Sequence, residues 1–267
     1  MGWWGKLAGG TFGFMLGGPL GALLGAVLGH KLDQGLHAFE MEGSPTTAAD
    51  RERIQTAFFT ATFSVMGHLA KADGRVSREE IAQAKAVMAH MELDTDMRRA
   101  AIDLFNQGKQ NDFPLDGVLQ QFRRECRRRT TLIQMFMEIQ IQAAYADGRL
   151  DPAEDRLLLH ICSKLGIPEF LYRQLERMIR AQQHFAGESA GGQGAAKPLL
   201  ADAYAILNIS ADASDADVKK AYRRLTSQHH PDKLVAKGLP EEMMKIAAQK
   251  THEIRQAYET IKEARGF

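Results

Sequence analysis

The sequence predicts an all-α protein in three parts: an N-terminal transmembrane helix, a helical bundle in the middle, and a small C-terminal module built on a helical hairpin with one short extra helix. Three observations predict this. The chain opens on a long uncharged run; apolar residues then recur at intervals of three and four; and no stretch alternates apolar with polar as a half-buried strand would. The 267 residues suffice for more than one core. The formal net charge of +1 supplies no overall field for nucleic acid, and no nucleic-acid partner is expected. Cys126 and Cys162 are far apart and not in Cys-x-x-Cys spacing, which excludes a zinc module or a disulfide framework. Two buried thiols in a reducing compartment are expected instead.

The first element spans residues 1–31. From Leu7 to Gly29, "LAGGTFGFMLGGPLGALLGAVLG" runs for 23 residues without a charge; as one helix it measures about 35 Å, enough to cross a hydrocarbon core with some tilt. Trp3 and Trp4 stand just outside it, where indole rings favour the headgroup zone. The apolar run is longer than that of a cleaved signal peptide, so an uncleaved single-pass anchor is the expectation. Gly5, Gly9, Gly13, Gly17, Gly21, Gly25 and Gly29 recur every fourth residue and form a groove without side chains. Such a groove admits a second helix at close range, so Gly9, Gly13, Gly17, Gly21, Gly25 and Gly29 are candidate homodimer contacts. Pro19 predicts a kink. Lys6 on one flank and Lys31 on the other leave the orientation undecided by charge.

Residues 32–50 read as a linker, on the strength of "MEGSPTTAAD". Residues 51–183 carry helical periodicity throughout, as at Phe59, Phe63, Met66 and Leu69, or Ile133, Phe136, Met137 and Ile141. "AKADGRVSREE" and "AAYADGRLDPAED" echo one another. Each reads as a helix ending at Asp-Gly, followed by a new start with capping-box spacing, at Ser77 with Glu80 and at Asp151 with Glu154. Neither loop has the Asp-x-Asp-x-Asp-Gly ladder of a calcium hand, so capping is the expected role and no metal is expected. The arginines at 123, 124, 127, 128 and 129 read as a solvated helix face. Residues 184–198, rich in glycine and alanine, read as a flexible tether.

Residues 199–267 form the last module. A short helix, "LLADAYAILNI", buries Tyr204 and Leu207. A second helix, capped at Ser214 and running from Asp215 to His229, turns Val218, Ala221, Tyr222 and Leu225 inward and Lys219, Lys220, Arg223 and Arg224 outward. A third, from about Pro240 to Ala264, turns Ile246, Ile254, Ala257, Tyr258 and Ile261 inward. Between the two lies the stretch "LTSQHHPDKLVAKG", with a bend at His230-Pro231-Asp232-Lys233. Pro231 forces His230 out of helical geometry, so the second helix ends there and Asp232 presents a carboxylate beyond a basic face. Adjacent histidines rarely converge on one metal ion, and so small a module offers little concavity for acid–base chemistry. A docking tip with two signs of charge is the reading that remains.

Two resemblances sharpen this. The middle segment, with its Asp-Gly-Arg-apolar loops, resembles TerB-like all-helical domains. "DAYAILNIS…DADVKKAYRRLTSQHHPDK…EIRQAYETI" resembles a J domain, whose His-Pro-Asp tripeptide stands at His230, Pro231 and Asp232. The full layout resembles membrane-anchored J-domain co-chaperones. The resemblance implies a DnaK-class chaperone as partner, with Lys219, Lys220, Arg223 and Arg224 meeting an acidic surface and His230, Pro231, Asp232 and Lys233 engaging the machinery that couples to ATP hydrolysis. It implies no enzyme activity and no cofactor of the chain's own, and a role in envelope stress or capsule-type signalling. It also implies a J domain facing the cytoplasm from a bacterial inner membrane, with the short N-terminus in the periplasm. One departure stands out: many J domains have Phe where this chain has Thr251.

Overall fold

A computed structural model of the chain describes residues 17–28, 47–72, 74, 82, 85, 87–89, 93–127, 129–145, 148–188, 196–240 and 243–267. Among the described residues every regular element is a helix. In chain order they are α1 (Gly18–Leu28), α2 (Thr47–Leu69), α3 (Thr95–Gly108), α4 (Leu115–Glu125), α5 (Thr130–Ala144), α6 (Pro152–Leu165), α7 (Glu169–Glu188), α8 (Ala196–Leu207), α9 (Asp215–His229), α10 (Pro231–Ala236) and α11 (Met244–Arg265).

The middle bundle is built around α2. Its stretch "IQTAFFTATFSVM" carries no charge, and every residue from Ile54 to Met66 is buried; a helix without a polar side belongs in an interior. Two of its hydroxyls fold back on the helix: Thr56 Oγ1 donates to the Glu52 carbonyl at 2.8 Å and Ser64 Oγ to the Thr60 carbonyl at 2.7 Å. Phe58, Phe122 and Phe136 tie α2 to α4 and α5, with ring centroids 4.7–6.5 Å apart. The contact with α3 runs backbone to backbone. A Cβ at Gly67 would run into the Phe105 carbonyl, and one at Gly108 into the Ser64 carbonyl. Glycine is needed at both positions because the helices cross too closely for any side chain.

The expected caps are present where the structure describes them. Asp151 accepts from Ala153 N and Glu154 reaches back to Asp151 N, with Pro152 in the first turn. Gly74 and Gly148, at the two echoed turns, have φ of +88° and +83°. The other box, Ser77 with Glu80, lies outside the described residues. Cys126 and Cys162 are free, buried thiols, and burial pushes both up to about 12. On α7, Arg173 grips Asp155 with two bonds of 2.6 and 3.0 Å while Tyr172 donates to the same carboxylate at 2.7 Å. The Arg173 guanidinium holds Asp155 below the usual carboxylate range.

The N-terminal segment differs from the single helix expected over Leu7–Gly29. Residues 7–16 and Gly29 lie outside the described residues, and with them Gly9 and Gly13. Gly17 and Gly18 have φ of +54° and +60°, and α1 starts there. Pro19 therefore causes no kink: it sits in the first turn, where its missing N–H costs nothing. With 11 residues, α1 is too short to cross a bilayer, and among the described residues no helix is long and apolar enough to do so. It lies against α3 and α4. Leu20 and Leu24 are buried, Pro19 rests on Gly117, and Gln121 holds the end of the helix by accepting from Leu20 N at 2.9 Å and donating to the Gly17 carbonyl at 2.8 Å.

The C-terminal module pairs α9 with α11 and closes them with α8. Tyr204, Ile206, Leu207, Val218, Leu225, Ile254, Ala257 and Ile261 form its core, and Tyr222 stacks on Tyr258 at 4.3 Å. Arg265 locks the chain's end to its start: it donates to Tyr204 Oη, the Ala211 and Ala213 carbonyls and Asp215 Oδ1 at 2.6–3.0 Å. The region expected to be a flexible tether is in part helical, since α7 runs to Glu188 and α8 begins at Ala196. Nor does the module stand apart. Ala181 of α7 joins its core, and Leu234, Leu239, Met243 and Ala247 join the core of the middle bundle.

Gly108→Ala puts a methyl group against the backbone of α2. It should destabilise the middle bundle by about 1–3 kcal/mol, as overpacked sites do, which would appear as a lower first unfolding midpoint in thermal circular dichroism with the fold otherwise intact.

Candidate functional site

The site is the bend between α9 and α10. Ser214 caps α9, accepting from Asp217 N at 3.2 Å. The helix ends at His229, and His230 is extended at φ −61°, ψ 123°, the geometry a following proline favours. Pro231 then occupies the first position of α10, and His230 Nδ1 accepts from Asp232 N at 3.2 Å, so His230 is the cap of the short helix. The Asp232 side chain is 83 % exposed and that of His230 45 %. Lys233 folds back, its Nζ donating to Ser227 Oγ at 2.6 Å, which closes the bend onto α9.

The face leading to the bend is positive. Lys220, Arg223 and Arg224 are exposed. Lys219 is not equivalent to them: it is half-buried, with Nζ 4.6 Å above the Phe267 ring. Of the eight predicted residues, Lys220, Arg223, Arg224, Asp232 and Lys233 are exposed, and His230, Pro231 and Lys219 are half-buried. Among the described residues no group of histidines, cysteines and carboxylates could hold a metal ion.

Behind the bend lies a feature the sequence reading missed. His229 is only 3 % exposed and faces the middle bundle. Its Nε2 lies 3.8 Å from Glu138 Oε1 on α5, too far for a hydrogen bond, and has no hydrogen-bond partner. Glu138 is buried as well; it pairs with Lys250 Nζ of α11 at 3.2 Å and accepts from Gln134 Nε2 at 3.2 Å. Lys250 also donates to Gln182 Oε1 of α7 at 2.7 Å. Burial lowers the affinity of His229 for a proton, against the pull of Glu138. Burial alone would raise Glu138, but Lys250 and then His229 outweigh it and hold the carboxyl low. Because His229 is neutral near pH 7, Lys250 supplies the compensating charge. Two signals in the sequence could have found this cluster. His229 continues the inward stripe of Val218, Ala221 and Leu225, and Glu138 is the lone charge in "TLIQMFMEIQIQAA". Thr251 has its own use: its hydroxyl lies 3.1 Å from the His229 carbonyl and 3.0 Å from that of Ala247, so it can bond the end of α9, which a phenyl ring could not.

Comparison with known proteins agrees with this layout. A family model described as the co-chaperone DjlA transmembrane domain matches residues 1–40, one described as tellurite resistance protein TerB matches 59–177, and one described as the DnaJ domain matches 202–265. The chain is 46 % identical over 269 residues to a co-chaperone protein DjlA of Coxiella burnetii, with both chains covered completely. It is 45 % identical over 278 residues to the DjlA of Photobacterium profundum, covering 99 % of each, and 44 % identical over 280 residues to that of Yersinia pseudotuberculosis, covering all of both. No solved structure matches.

The His229 environment makes the fold acid-sensitive. A histidine whose proton affinity is depressed by burial stabilises the fold fully above its ordinary value of 6.5, and that stability is lost as pH falls below it. Glu253 works the other way, since burial raises its carboxyl. The unfolding midpoint should therefore drop between pH 7.5 and 5.5 in the unmodified chain and drop less in His229→Gln, and the difference between the two slopes isolates His229. Equal slopes by scanning calorimetry would remove this role.

Proposed function

Because the chain belongs to the DjlA co-chaperone family, we propose that it is a membrane-anchored J-domain protein that stimulates the ATPase of a DnaK-class chaperone and serves the envelope stress response. The observation that carries this reading is the exposed bend at His230, Pro231 and Asp232 beside the open cations of α9. Lys220, Arg223 and Arg224 steer the encounter with an acidic partner surface, and Lys219 contributes from the edge. Asp232 offers its carboxylate to a cationic group of the partner, while Pro231 and the His230 cap fix the direction in which it points. The chain itself breaks no bond: it shifts the partner between conformations through its differential affinity for them.

ATP and DnaK-class chaperones are cytoplasmic, so the middle bundle and the J domain lie in the cytoplasm and the N-terminus reaches the periplasm. The N-terminal run is the single span of the inner membrane, and its four-residue glycine repeat is the contact surface of a homodimer. The full-length match to DjlA relatives and the transmembrane-domain match over residues 1–40 support this topology.

In single-turnover ATPase assays with a DnaK-class chaperone, the unmodified protein should stimulate hydrolysis, and His230→Gln and Asp232→Asn should each lose about tenfold or more of that stimulation. Raised salt should weaken the stimulation, because exposed charges are screened. No stimulation by the unmodified chain would refute the reading. Separately, Gly17→Leu with Gly21→Leu should abolish crosslinked dimers in membranes, and unchanged dimers would reject the glycine contact.

A further inference from the structure

The bend is held at both ends by the middle bundle. On one side, His229 directly precedes it and is buried against α5, 3.8 Å from Glu138. On the other, α10 runs into Lys237, Gly238 and Leu239, and all three meet the bundle. Lys237 Nζ donates to Thr131 Oγ1 at 2.9 Å, and Gln55 Nε2 donates to the Leu239 carbonyl at 3.4 Å. Gly238, at φ +103°, lies so close to Ile54 that a Cβ there would come within 2.8 Å of the isoleucine side chain. The seven residues His230 to Ala236 are thus strung between two anchor points on another domain. Lys220, Arg223, Arg224, Asp232 and Lys233 are left in solvent. The docking therefore leaves open these five charged residues of the surface assigned to the chaperone.

This contact also contains a buried ion pair between Glu138 and Lys250, side chains exposed by 7 % and 12 %. It joins α5 to α11, and Gln182 of α7 completes the coordination of the ammonium. Removing one partner of such a pair leaves an uncompensated charge in an apolar contact, which is far more costly than removing both. A buried glutamate in a bundle helix whose cation comes from the neighbouring domain acts as a tie between the two.

From this geometry we infer that the middle bundle positions the J-domain bend, and that Glu138 is the positioning residue, acting through Lys250 and the packed ring of His229. The inference rests on the co-chaperone reading and adds a role for the middle bundle within it: a preorganised bend binds without first being ordered, so docking lowers the concentration needed for stimulation.

The test uses the full chain in lipid vesicles, carrying Thr131→Cys and Lys237→Cys at the rim of the contact; Cys126 and Cys162 are buried and stay unreactive. A short bismaleimide crosslink between the two new thiols reads docking without any chaperone. ATPase stimulation against concentration reads function, and circular dichroism reads folding. Glu138→Ala should lose most of the crosslink and raise the half-stimulating concentration about three- to tenfold, leaving the plateau rate within about twofold. Glu138→Leu with Lys250→Leu, which replaces the pair by apolar packing, should restore both readouts; an unchanged circular dichroism spectrum and unfolding midpoint in Glu138→Ala separate lost docking from lost folding. A crosslink undiminished in Glu138→Ala overturns the tie. A lost crosslink with an unchanged stimulation curve overturns the positioning role. If the reference chain crosslinks but stimulates nothing, the co-chaperone reading fails and takes the positioning role with it, and the intact crosslink tells this apart from a failure of docking.

Discussion

A pyrrolidine ring at position 231 decides the geometry of the whole C-terminal module. It disfavours helical geometry in the residue before it, and here α9 stops at His229 and His230 is extended. The same ring suits the first turn of a helix, so α10 starts at once, and the His230 ring, now outside both helices, caps it. One covalent constraint thus places two helix ends within two residues and leaves Asp232 projecting from the gap. The basic face of α9 and the carboxylate then come from opposite sides of one bend. Their relative position depends on backbone angles that proline fixes, and little on side-chain packing.

A bend so defined locally still needs a fixed direction relative to the rest of the chain, and here the buried charges matter. Glu138 would be expensive on its own in the apolar wall of α5, and Lys250 equally so on α11. Each is tolerable because the other is present, with Gln134 and Gln182 satisfying the remaining positions. Such a pair adds little net stability compared with apolar packing, but it is selective: the contact is favourable only in the register that brings the two together. The surrounding contacts of Ile54, Leu239, Met243 and Ala247 supply the apolar area, and the charges choose among the ways of burying it.

The sequence was legible wherever structure follows from neighbours in the chain. The bounds of α9, its Ser214 cap, the bend at His230 and the box at Asp151 and Glu154 were readable because spacing and proline stereochemistry determine them. The exposure of Lys220, Arg223 and Arg224 followed from helical periodicity, and that of Asp232 from the bend at Pro231. What was not legible depends on residues far apart. The distance from Glu138 to Lys250 is 112 positions in sequence, and no local pattern links them. The same holds for Gln55 with Leu239, and for Phe267, which folds under Lys219 and removes it from the open face. The tether was read as flexible from its glycines, whereas the helices on either side extend into it, because Ala181 and the core of α8 to α11 give α7 something to pack against.

The N-terminal segment shows how one stretch of sequence can satisfy two apolar hosts. Against α3 and α4, α1 buries two leucines, rests one proline ring on Gly117 and makes two hydrogen bonds to Gln121. At about 1.5–3 kcal/mol for each leucine, that contact amounts to roughly 3–6 kcal/mol before the cost of ordering the helix. The run from Leu7 to Gly29 also carries Leu7, Phe12, Phe14, Met15, Leu16, Leu23, Val27 and Leu28. Each aliphatic or phenylalanine side chain gains about 0.3–0.6 kcal/mol at the centre of a membrane helix on the insertion scale, and in lipid every backbone group of the segment must be bonded within the helix. A helix of the full 23 residues meets both demands at once. Among the described residues, the surface of α3 and α4 buries Leu20 and Leu24 of this run. The apolar composition of the run thus suits either host, and for the described half, Gly18–Leu28, the host in this structure is the surface of α3 and α4.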